Sequence, residues 1–390
     1  MKFQTKKRLT LLTELYHNKT ILEECCQSIT LGNTKYPLWD IGEKRTFHEK
    51  SIYYSIKNVP EYFNVTYLNP DKNRIIKFPS VKGYAICLDN YSNIDAYIKD
   101  KFSKKGQPLK TALNRLETCF DIKYVIFHDT IDRETYNLLF NRLREMIITR
   151  FVQRNEKSDT LNHWDLIFET SYELINKKEA TLFVIYHGEK PIAISLNYNY
   201  GNVLFSYVSS FDIDYYKFSL GQIEIYKQLE WCLKHQYRFF ELGWGDLEYK
   251  RHWCNYIYTF EHHFVFSKKS ISGHLSSLLE GSKTSLIAFL ISKKVNIYFK
   301  KVKNLIKLDK PSGNSDSKLS LGEIQKGKFE DSNYIPLELT SLGTRFLNFH
   351  IYNFIYSTQE KYHNTLLYQK DNTEYMIQGK NSYQKVTIKS

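Results

Sequence analysis

The sequence lacks the cysteine and histidine spacings that hold structural zinc or form a redox pair. Its six cysteines are Cys25, Cys26, Cys87, Cys119, Cys232 and Cys254, and none of them forms a Cys-x-x-Cys motif. Cys87 falls in a strand-like run and Cys232 in a helix-like run, which indicates buried thiols. Free thiols are typical of a reducing compartment, and we expect no metal site.

Long hydrophobic runs are also missing. No run approaches the ~20 apolar residues that a membrane-spanning helix needs. The basic start of the chain, residues 1–8, is not followed by the apolar stretch of a secretory signal. We therefore expect a cytoplasmic protein, and peripheral contact with an anionic membrane stays open.

Acidic residues are in the minority. The 390 residues include 55 basic and 42 acidic ones, and the formal net charge is +13. Between residues 267 and 310, ten lysines face only Glu280 and Asp309, so this short stretch holds more than half of the excess. A basic surface attracts phosphate groups, whether on a cofactor, a nucleic acid or a lipid.

Tyrosine is abundant, with 31 residues in a chain that is 16% aromatic. Tyrosine suits cavity walls that meet polar ligands, although an AT-rich genome would produce the same excess. The hydrophobic content of 42% is ordinary for a globular core, and the length allows two domains or one domain of two similar lobes.

The apolar periodicity predicts a mixed α/β (α+β) fold, because hairpins alternate with helices that cross between strands. Residues 1–80 are less regular than the rest. Predicted helices cover residues 10–16, 93–102, 108–120, 133–154, 164–176 and 220–235. Predicted strands cover residues 51–54, 63–67, 74–78, 84–88, 123–127, 180–186, 191–200, 203–210, 238–242 and 256–266.

The most crowded stretch is residues 240–253, FELGWGDLEYKRHW, which follows a predicted helix and strand. Gly243 and Gly245 allow a sharp turn or a close approach of the backbone to a ligand. Three carboxylates, a Tyr-Lys pair and two tryptophans share the stretch. It is either the floor of a binding site or a densely packed structural corner.

A second feature precedes it. Ser219 is an N-cap candidate for a helix that Gly221 opens, and Lys217 stands just before. Free backbone N–H groups at a helix start favour an anion, and the helix dipole adds to the attraction. This arrangement predicts a seat for a pyrophosphate, but a plain capped helix has the same pattern.

Four elements in order resemble the GNAT-type acyltransferases of the CelD-like, Fem-related group. The family's hairpin pattern dg.piA corresponds to HGEKPIA at residues 187–193, and its ySPG helix start corresponds to FSLG at residues 218–221. Its fDlg.G...YK..w pattern corresponds to residues 240–253, and its basic helix to residues 104–117. The resemblance covers roughly residues 80–266.

The resemblance implies tandem GNAT-like lobes with mixed central sheets flanked by helices. We expect an N-terminal lobe over residues 1–155 and a C-terminal acyltransferase lobe over residues 156–270. A basic amphipathic helical segment would follow at residues 271–309, then a linker at 310–333 and a small extension at 334–390.

The implied reaction moves an acyl group from acetyl-CoA, or another acyl-CoA, to an amine or hydroxyl of a sugar or cell-envelope precursor. Glu241 or Asp246 would take the proton of the acceptor, and Tyr249 would return a proton to the leaving thiolate. The resemblance also implies two sets of binding residues. Cofactor contacts would come from Lys217, Ser219, Gly221 and Gln222, and substrate contacts from Lys250, Trp244 and Trp253.

The chain departs from the family pattern at two positions. Leu220 replaces a proline and Glu241 replaces an aspartate. The Gln/Arg-x-x-Gly-x-Gly/Ala signature of single-domain acetyltransferases is absent, which leaves the acyl donor open. Instead of acting as a base, Glu241 would have a structural role if it forms an ion pair with Lys250 or Arg251.

Two other functions stay open. One is Fem-like aminoacyl transfer from charged tRNA, although the helical arm of such enzymes is not evident. The other is a non-catalytic binding module on the same fold. No DNA partner is expected under any of these hypotheses.

Residues 272–308 are predicted to be mostly helical. Ile291, Val295, Tyr298, Val302 and Leu305 fall on one stripe, and Lys293, Lys300 and Lys307 fall opposite. Such a helix either lies on an anionic surface or packs its apolar side on the domain.

Overall fold

The computed structural model describes residues 5–17, 22–31, 37–40, 52–293, 319–339 and 341–388. Within these ranges the chain forms eighteen strands. In chain order they are β1 (Thr5–Thr10), β2 (Cys26–Leu31), β3 (Pro37–Asp40), β4 (Ile52–Pro60), β5 (Phe63–Tyr67), β6 (Asn73–Cys87), β7 (Ile122–Phe127), β8 (Ala180–His187), β9 (Lys190–Tyr200), β10 (Val203–Phe211), β11 (Phe239–Trp244), β12 (Tyr256–Ser267), β13 (Leu319–Leu321), β14 (Gln325–Lys326), β15 (Ile335–Leu337), β16 (Leu366–Gln369), β17 (Glu374–Gln378) and β18 (Ser382–Ile388).

The α-helices of the same ranges number nine. They are α1 (Leu11–His17), α2 (Ile94–Phe102), α3 (Gln107–Cys119), α4 (Arg133–Gln153), α5 (Trp164–Asn176), α6 (Leu220–Lys234), α7 (Glu248–Trp253), α8 (Ile271–Ser292) and α9 (Asn348–Thr358). Local sequence starts several of them. Asn93 and Asp132 cap α2 and α4 by accepting hydrogen bonds from the backbone N–H groups of Ala96 and Thr135.

The central sheet contains nine of the described strands, in the order β1-β4-β12-β6-β11-β10-β9-β8-β7. Most neighbours are antiparallel, but β10 and β11 are parallel, as are β1 and β4. One core contains buried residues of α1, α4 and α5, and a second contains buried residues of α2, α3 and α6. This is the mixed α/β fold, with a large mixed sheet flanked by helices, that the sequence predicts.

The predicted boundary at residue 155 does not separate two sheets. β6 and β7 precede it, β8 to β12 follow it, and all of them belong to the same sheet. The division into tandem lobes therefore stays a prediction.

One long strand, β6, replaces two predicted ones. Pro79 and Gly83 suggest an interruption between residues 78 and 84. Pairing with β12 nevertheless continues across both, since Pro79 faces Glu261 and Gly83 faces Tyr258. A Cβ atom on Gly83 would stand 2.2 Å from the ring of Tyr258, so the glycine is there for close approach.

The C-terminal region is more ordered than the sequence indicates. Two short strands, β13 and β14, lie within the predicted linker at residues 310–333, and both pair with β18. Residues 334–390 contain α9, whose sequence NFHIYNFIYST reads as strand-like because it is rich in aromatic and β-branched residues. Phe354 and Ile355 of α9 join the second core, so packing decides its conformation.

Helix α8 agrees with the predicted helix up to Ser292. Residues 294–318 lie outside the described ranges, and with them most of the predicted apolar and lysine stripes. Of the helices that the structure describes, none is both long and apolar enough to cross a bilayer.

Candidate functional site

A slot opens in the central sheet where the parallel strands β10 and β11 part. Residues 203–205 pair with residues 239–241, and these three pairs are all that join the two strands in the described chain. Beyond them β10 follows β9, with an irregularity between Ser206 and Val208. The register of β11 on β6 shifts after Glu241. Beyond these pairs no backbone ladder joins the two strands in the described chain, and the Gly243 N–H of β11 donates to the Glu241 side chain instead.

The start of α6 lies at the open end of β10. A 3-10 helix, Ile213–Phe218, leads into it, and Ser219 adopts a left-handed conformation with φ 56° and ψ 40°. Ser219 occupies the N-cap position of α6, as the sequence predicts, but among the described residues its side chain makes no capping hydrogen bond. A Cβ atom on Gly221 would stand 3.3 Å from the ring of Phe211, which shows how closely the helix start approaches β10.

The other predicted cofactor residues differ in exposure. Lys217 is exposed beside the helix start. The Gln222 side chain instead accepts a hydrogen bond from the indole N–H of Trp253 at 2.5 Å. Trp253 is fully buried and packs edge-on against Phe102. Its surroundings are those of a core side chain, and its predicted contact with substrate stays a prediction.

Lys250 fastens the loop that follows β11. Its Nζ atom donates to the carbonyl oxygens of Leu242, at 2.5 Å, and Trp244, at 2.7 Å. Gly243, between these two residues, and Gly245, just after them, have φ angles of 71° and 102°, which residues with a side chain rarely adopt. Burial lowers the pKa of Lys250 to about 8, although the charge of Glu241 opposes the shift.

Glu241 lies at the base of the same loop with no exposed surface. Its carboxylate accepts from the Tyr62 hydroxyl and from the Gly243 backbone N–H, both at 2.7 Å. Burial raises the pKa of Glu241 to about 7, and these hydrogen bonds oppose the rise together with the charge of Lys250. The carboxylate and the lysine thus stabilise each other inside the protein.

Glu224 is a buried carboxylate that the sequence interpretation missed. It lies on α6, where Ser209 of β10 donates to its Oε2 atom at 2.8 Å and Gln228 donates to Oε1 at 3.1 Å. Burial raises its pKa to about 7, against the hydrogen bond of Ser209 and the charge of Arg150. The sequence signal that could have found it is an acidic residue among the inward-facing apolar residues of a helix. Burial of such a charge costs free energy, so it is rarely present without a reason.

Tyr249 and Arg150 are the electrostatic neighbours of Glu224. Tyr249 is 37% exposed on α7, and desolvation of its hydroxyl together with the charge of Glu224 raises the pKa of that hydroxyl to about 12. The Arg150 guanidinium stacks on the ring of Phe211, 4.3 Å from its centroid. A basic group, an acid and a phenol thus converge near the slot from α4, α6 and α7.

Asp246 and Trp244 lie at the surface. The carboxylate of Asp246 accepts from the Tyr84 hydroxyl at 2.8 Å and forms an ion pair with Arg251 at 3.1 Å. Trp244 is 62% exposed. The structure therefore does not gather the residues predicted in 240–253 into one cluster: Glu241 and Lys250 are buried together, while Asp246 faces solvent.

A cavity of about 820 Å³ has Phe211, the last residue of β10, in its lining. Its charged lining has five carboxylates against three basic groups, in a chain that is basic as a whole. They are Asp121, Glu145, Glu189, Asp212 and Asp214, and Arg142, Lys190 and Arg345. The C-terminal region supplies one wall, including the aromatic rings of Tyr352 and Tyr362.

Asp212 anchors the charged side of this cavity. It bonds to Arg142 at 2.8 Å and to Lys190 at 2.7 Å. Neighbouring Asp214 has a pKa raised to about 6, first by burial and then by the charge of Asp212. Asp214 thus places a second carboxylate beside Asp212 on this side of the cavity.

Residues 104–251 match the family model described as an acetyltransferase (GNAT) domain, which is fewer than half of the residues. The matched segment contains the slot, α6 and most of the loop after β11. It supports a transferase of GNAT type at the level of fold and general activity. No curated protein sequence matches the chain.

Two solved structures are similar to parts of the chain. A conserved protein of unknown function from Bacteroides thetaiotaomicron VPI-5482 is 10% identical, over 55% of this chain and 70% of that one, with a TM-score of 0.39. FemX is 12% identical, over 55% of this chain and 72% of that one, also with a TM-score of 0.39. At TM-scores below 0.5, neither likeness supports an argument about function.

Proposed function

We propose that this chain is an acyltransferase that moves an acyl group from an acyl-CoA, with acetyl-CoA as the first candidate, to an amine or hydroxyl of a sugar or cell-envelope precursor. The observation that carries the proposal is the slot between two parallel strands beside a helix start, inside the segment that matches the acetyltransferase family model.

The slot suits an extended thioester arm that carries amide groups. Backbone N–H and C=O groups of β10 beyond residue 205, where pairing with β11 ends, would bond these amides as they would bond an added strand. At the end of the slot, the start of α6 offers N–H groups and its dipole to a pyrophosphate, and Lys217 adds a positive charge. Gly221 lets this helix start pack closely against the Phe211 ring at the end of β10.

Proton transfer from the acceptor would run through Ser209 to Glu224. Ser209 is half-buried and already donates to Glu224. As the acceptor attacks the thioester carbonyl, its proton would pass to the Ser209 oxygen while the Ser209 proton passes to the carboxylate. A base with a pKa near 7 is well matched to this task.

The leaving group would be protonated by Tyr249. The new bond joins the acceptor atom to the acyl carbon, the carbon–sulfur bond breaks, and the thiolate takes the Tyr249 proton. The proton gained by Glu224 then leaves to solvent through Ser209, and the partly exposed Tyr249 phenolate takes a proton from solvent. Glu241 and Lys250 would hold the turn between β11 and α7, the helix that carries Tyr249. The predicted base role of Glu241 and Asp246 is the competing assignment.

The acceptor would enter from the cavity beyond Phe211. The excess of carboxylates there favours an amine, and Tyr352 and Tyr362 provide aromatic surface for a sugar ring. Asp214 would hold the ammonium form of the acceptor until a proton is lost.

Binding of the donor is the direct test. Thermal unfolding of the full chain is measured with acetyl-CoA, with CoA and with a tRNA pool, each over a concentration series. Acetyl-CoA and CoA should both raise the midpoint, by an amount equivalent to about 2.7 kcal/mol at a hundredfold excess over Kd. Stabilisation by tRNA alone would favour aminoacyl transfer instead, and no stabilisation by either CoA species would refute the proposal.

A matched pair of lysine variants tests the phosphate seat. Lys217 and Lys234 are both exposed, at the start and the end of α6. Lys217→Ala should weaken CoA binding several-fold, whereas Lys234→Ala should leave it unchanged. Equal effects of the two would mean that general charge, rather than the helix start, attracts the ligand.

A further inference from the structure

Helix α8 packs on the sheet through its smallest residues. Its buried positions are Gly273, Ser277 and Gly281. A Cβ atom on Gly281 would stand 2.2 Å from the ring of Phe78, and one on Gly273 would stand 2.8 Å from that of Phe266. The glycines therefore let the helix backbone lie directly against the aromatic residues of β6 and β12.

Polar contacts fix the rotation of α8 about its axis. His262 bonds to Thr284 at 2.9 Å, and Ser285 donates to the carbonyl of Pro79 at 3.0 Å. Glu280 forms ion pairs with Lys6, at 3.6 Å, and Arg8, at 3.3 Å. With this face held, the opposite face must point away from the protein.

That outward face is apolar. Leu279 is 74% exposed and Ile271 is 79% exposed. Seven exposed side chains fall within an arc of roughly 120° at 100° per residue, namely Ile271, Leu275, Leu278, Leu279, Leu286, Phe289 and Leu290. A surface helix ordinarily turns its apolar stripe toward the core, so α8 is inverted. A contiguous exposed patch of this kind marks an interaction surface.

Positive charge surrounds the patch. Lys268, Lys269, Lys283 and Lys293 are exposed on or beside α8. The one acidic residue of the helix, Glu280, is already paired with Lys6 and Arg8. In the sequence, ten lysines occur between residues 267 and 310.

We propose that the outward face of α8 docks on an anionic lipid bilayer, with the helix lying in the plane of the interface. Leucine, isoleucine and phenylalanine would enter the boundary between headgroups and acyl chains, and the lysines would meet the anionic headgroups. Charge complementarity selects this partner. In a symmetric pair of chains the same face would meet its copy, and the lysine rims would be brought together. The inference does not depend on the acyltransferase assignment.

Vesicle co-sedimentation of the full chain tests the docking. Vesicles of phosphatidylcholine alone are compared with vesicles that contain a fraction of phosphatidylglycerol, at low and high salt. We expect binding to the anionic vesicles, weakened by salt, and little binding to the neutral ones. Equal binding to both, or to neither, would overturn the proposal.

Matched variants separate the face from general hydrophobicity. Leu279→Glu should weaken partitioning on the order of tenfold or more, because a charge replaces an inserted side chain. Val152→Glu is the control, since Val152 is 72% exposed on α4, away from this face. Lys283→Ala should weaken binding about fivefold, against no change for Lys234→Ala. Unchanged thermal midpoints show that each variant is folded.

The competing partner is a second copy of the chain. Analytical ultracentrifugation without lipid measures the oligomeric state of the wild type and of Leu279→Glu. A monomer in both cases, with loss of vesicle binding in the variant, supports lipid docking. A wild-type dimer that Leu279→Glu converts to a monomer, without vesicle binding, would assign the face to self-association instead.

Discussion

The slot and α8 both invert the usual distribution of side chains, in opposite directions. At the slot, Glu224, Glu241 and Lys250 are buried charges. On α8, leucine and isoleucine side chains are left in solvent while glycine and serine face the sheet. A buried charge or a large exposed apolar patch is the informative exception in a folded protein, because neither improves its stability.

The two regions differ in how complete they are. Each buried charge at the slot has bonding partners: Glu224 has Ser209 and Gln228, and Glu241 has Tyr62 and the Gly243 backbone. Such groups are held in place before any ligand arrives. On α8, the glycine and serine side of the helix packs on the sheet, whereas the leucine side is exposed to solvent. One region is thus preorganised for chemistry, and the other needs a partner.

The largest expected effect is that of Glu224→Gln. Loss of the carboxylate should lower turnover about 10²–10⁴-fold, because the acceptor proton has no base to receive it. Glu230→Gln, at an exposed position of the same helix, should retain activity. In the wild type, turnover should rise with pH through about 7, as the Glu224 carboxyl loses its proton.

If Glu224→Gln turns over at the wild-type rate, Glu224 is not the base and the slot is not shown to be a catalytic region. Ser209→Ala should lower turnover with little further loss in the double variant, since both residues act on one proton.

The next effect concerns stability and pH through Glu241. Its pKa is about 7 in the folded chain, above the ordinary value of 4.5. Between these values the folded chain keeps a proton that the unfolded chain has lost, so stability falls as pH rises. The fall amounts to about 3 kcal/mol for this residue. Glu241→Gln should remove that part of the fall, measured by urea unfolding at pH 5 and pH 7.

Two features complete this pH test. Glu224 contributes a similar fall in stability with pH, so the plot of unfolding free energy against pH for Glu241→Gln should be less steep than that of the wild type but should still slope downwards. Lys250 has a lowered pKa of about 8, and its share of stability therefore rises between about pH 8 and the ordinary value of 10.5. A variant curve as steep as that of the wild type would mean that Glu241 is not held as a buried acid.

The sequence predicts most of the helices and strands of residues 84–266, since their periodicity is strong and turn residues separate them. It fails where tertiary contacts override local pattern. β6 runs through Pro79 and Gly83 because β12 pairs with both, and α9 is helical in spite of its aromatic and β-branched residues. Packing of Phe354 and Ile355 against the second core supplies what local propensity does not.

The candidate site is predictable in place but not in detail. Motif spacing locates the helix start at Gly221 and the loop at Lys250. It gives no sign that Lys250 of α7 would bind carbonyl oxygens of β11, or that Trp253 would be fully buried. Glu224 escaped because its significance comes from Ser209, fifteen residues away on another element.

Gly281→Val tests the close packing of α8 on the sheet. The added side chain would meet the Phe78 ring, and α8 would have to lift from the sheet. We expect a loss of about 1–3 kcal/mol in urea unfolding. Ser282→Val, one position further along and exposed, should change stability by no more than about 0.5 kcal/mol. Equal losses would show that helix propensity, rather than the close contact, sets the effect.

The smallest expected effect is that of Asp246→Asn. Asp246 is exposed, and its partners are the Tyr84 hydroxyl and Arg251. An exposed ion pair contributes at most about 1 kcal/mol, so stability should change little and turnover should stay within a few-fold of the wild type. Tyr84→Phe, which removes only the hydroxyl, should behave alike. If Asp246→Asn instead lowers turnover a hundredfold at unchanged stability, the base lies in the exposed part of 240–253. The buried carboxylates of the slot would then be structural, and burial of charge would no longer distinguish the catalytic region from the rest of the molecule.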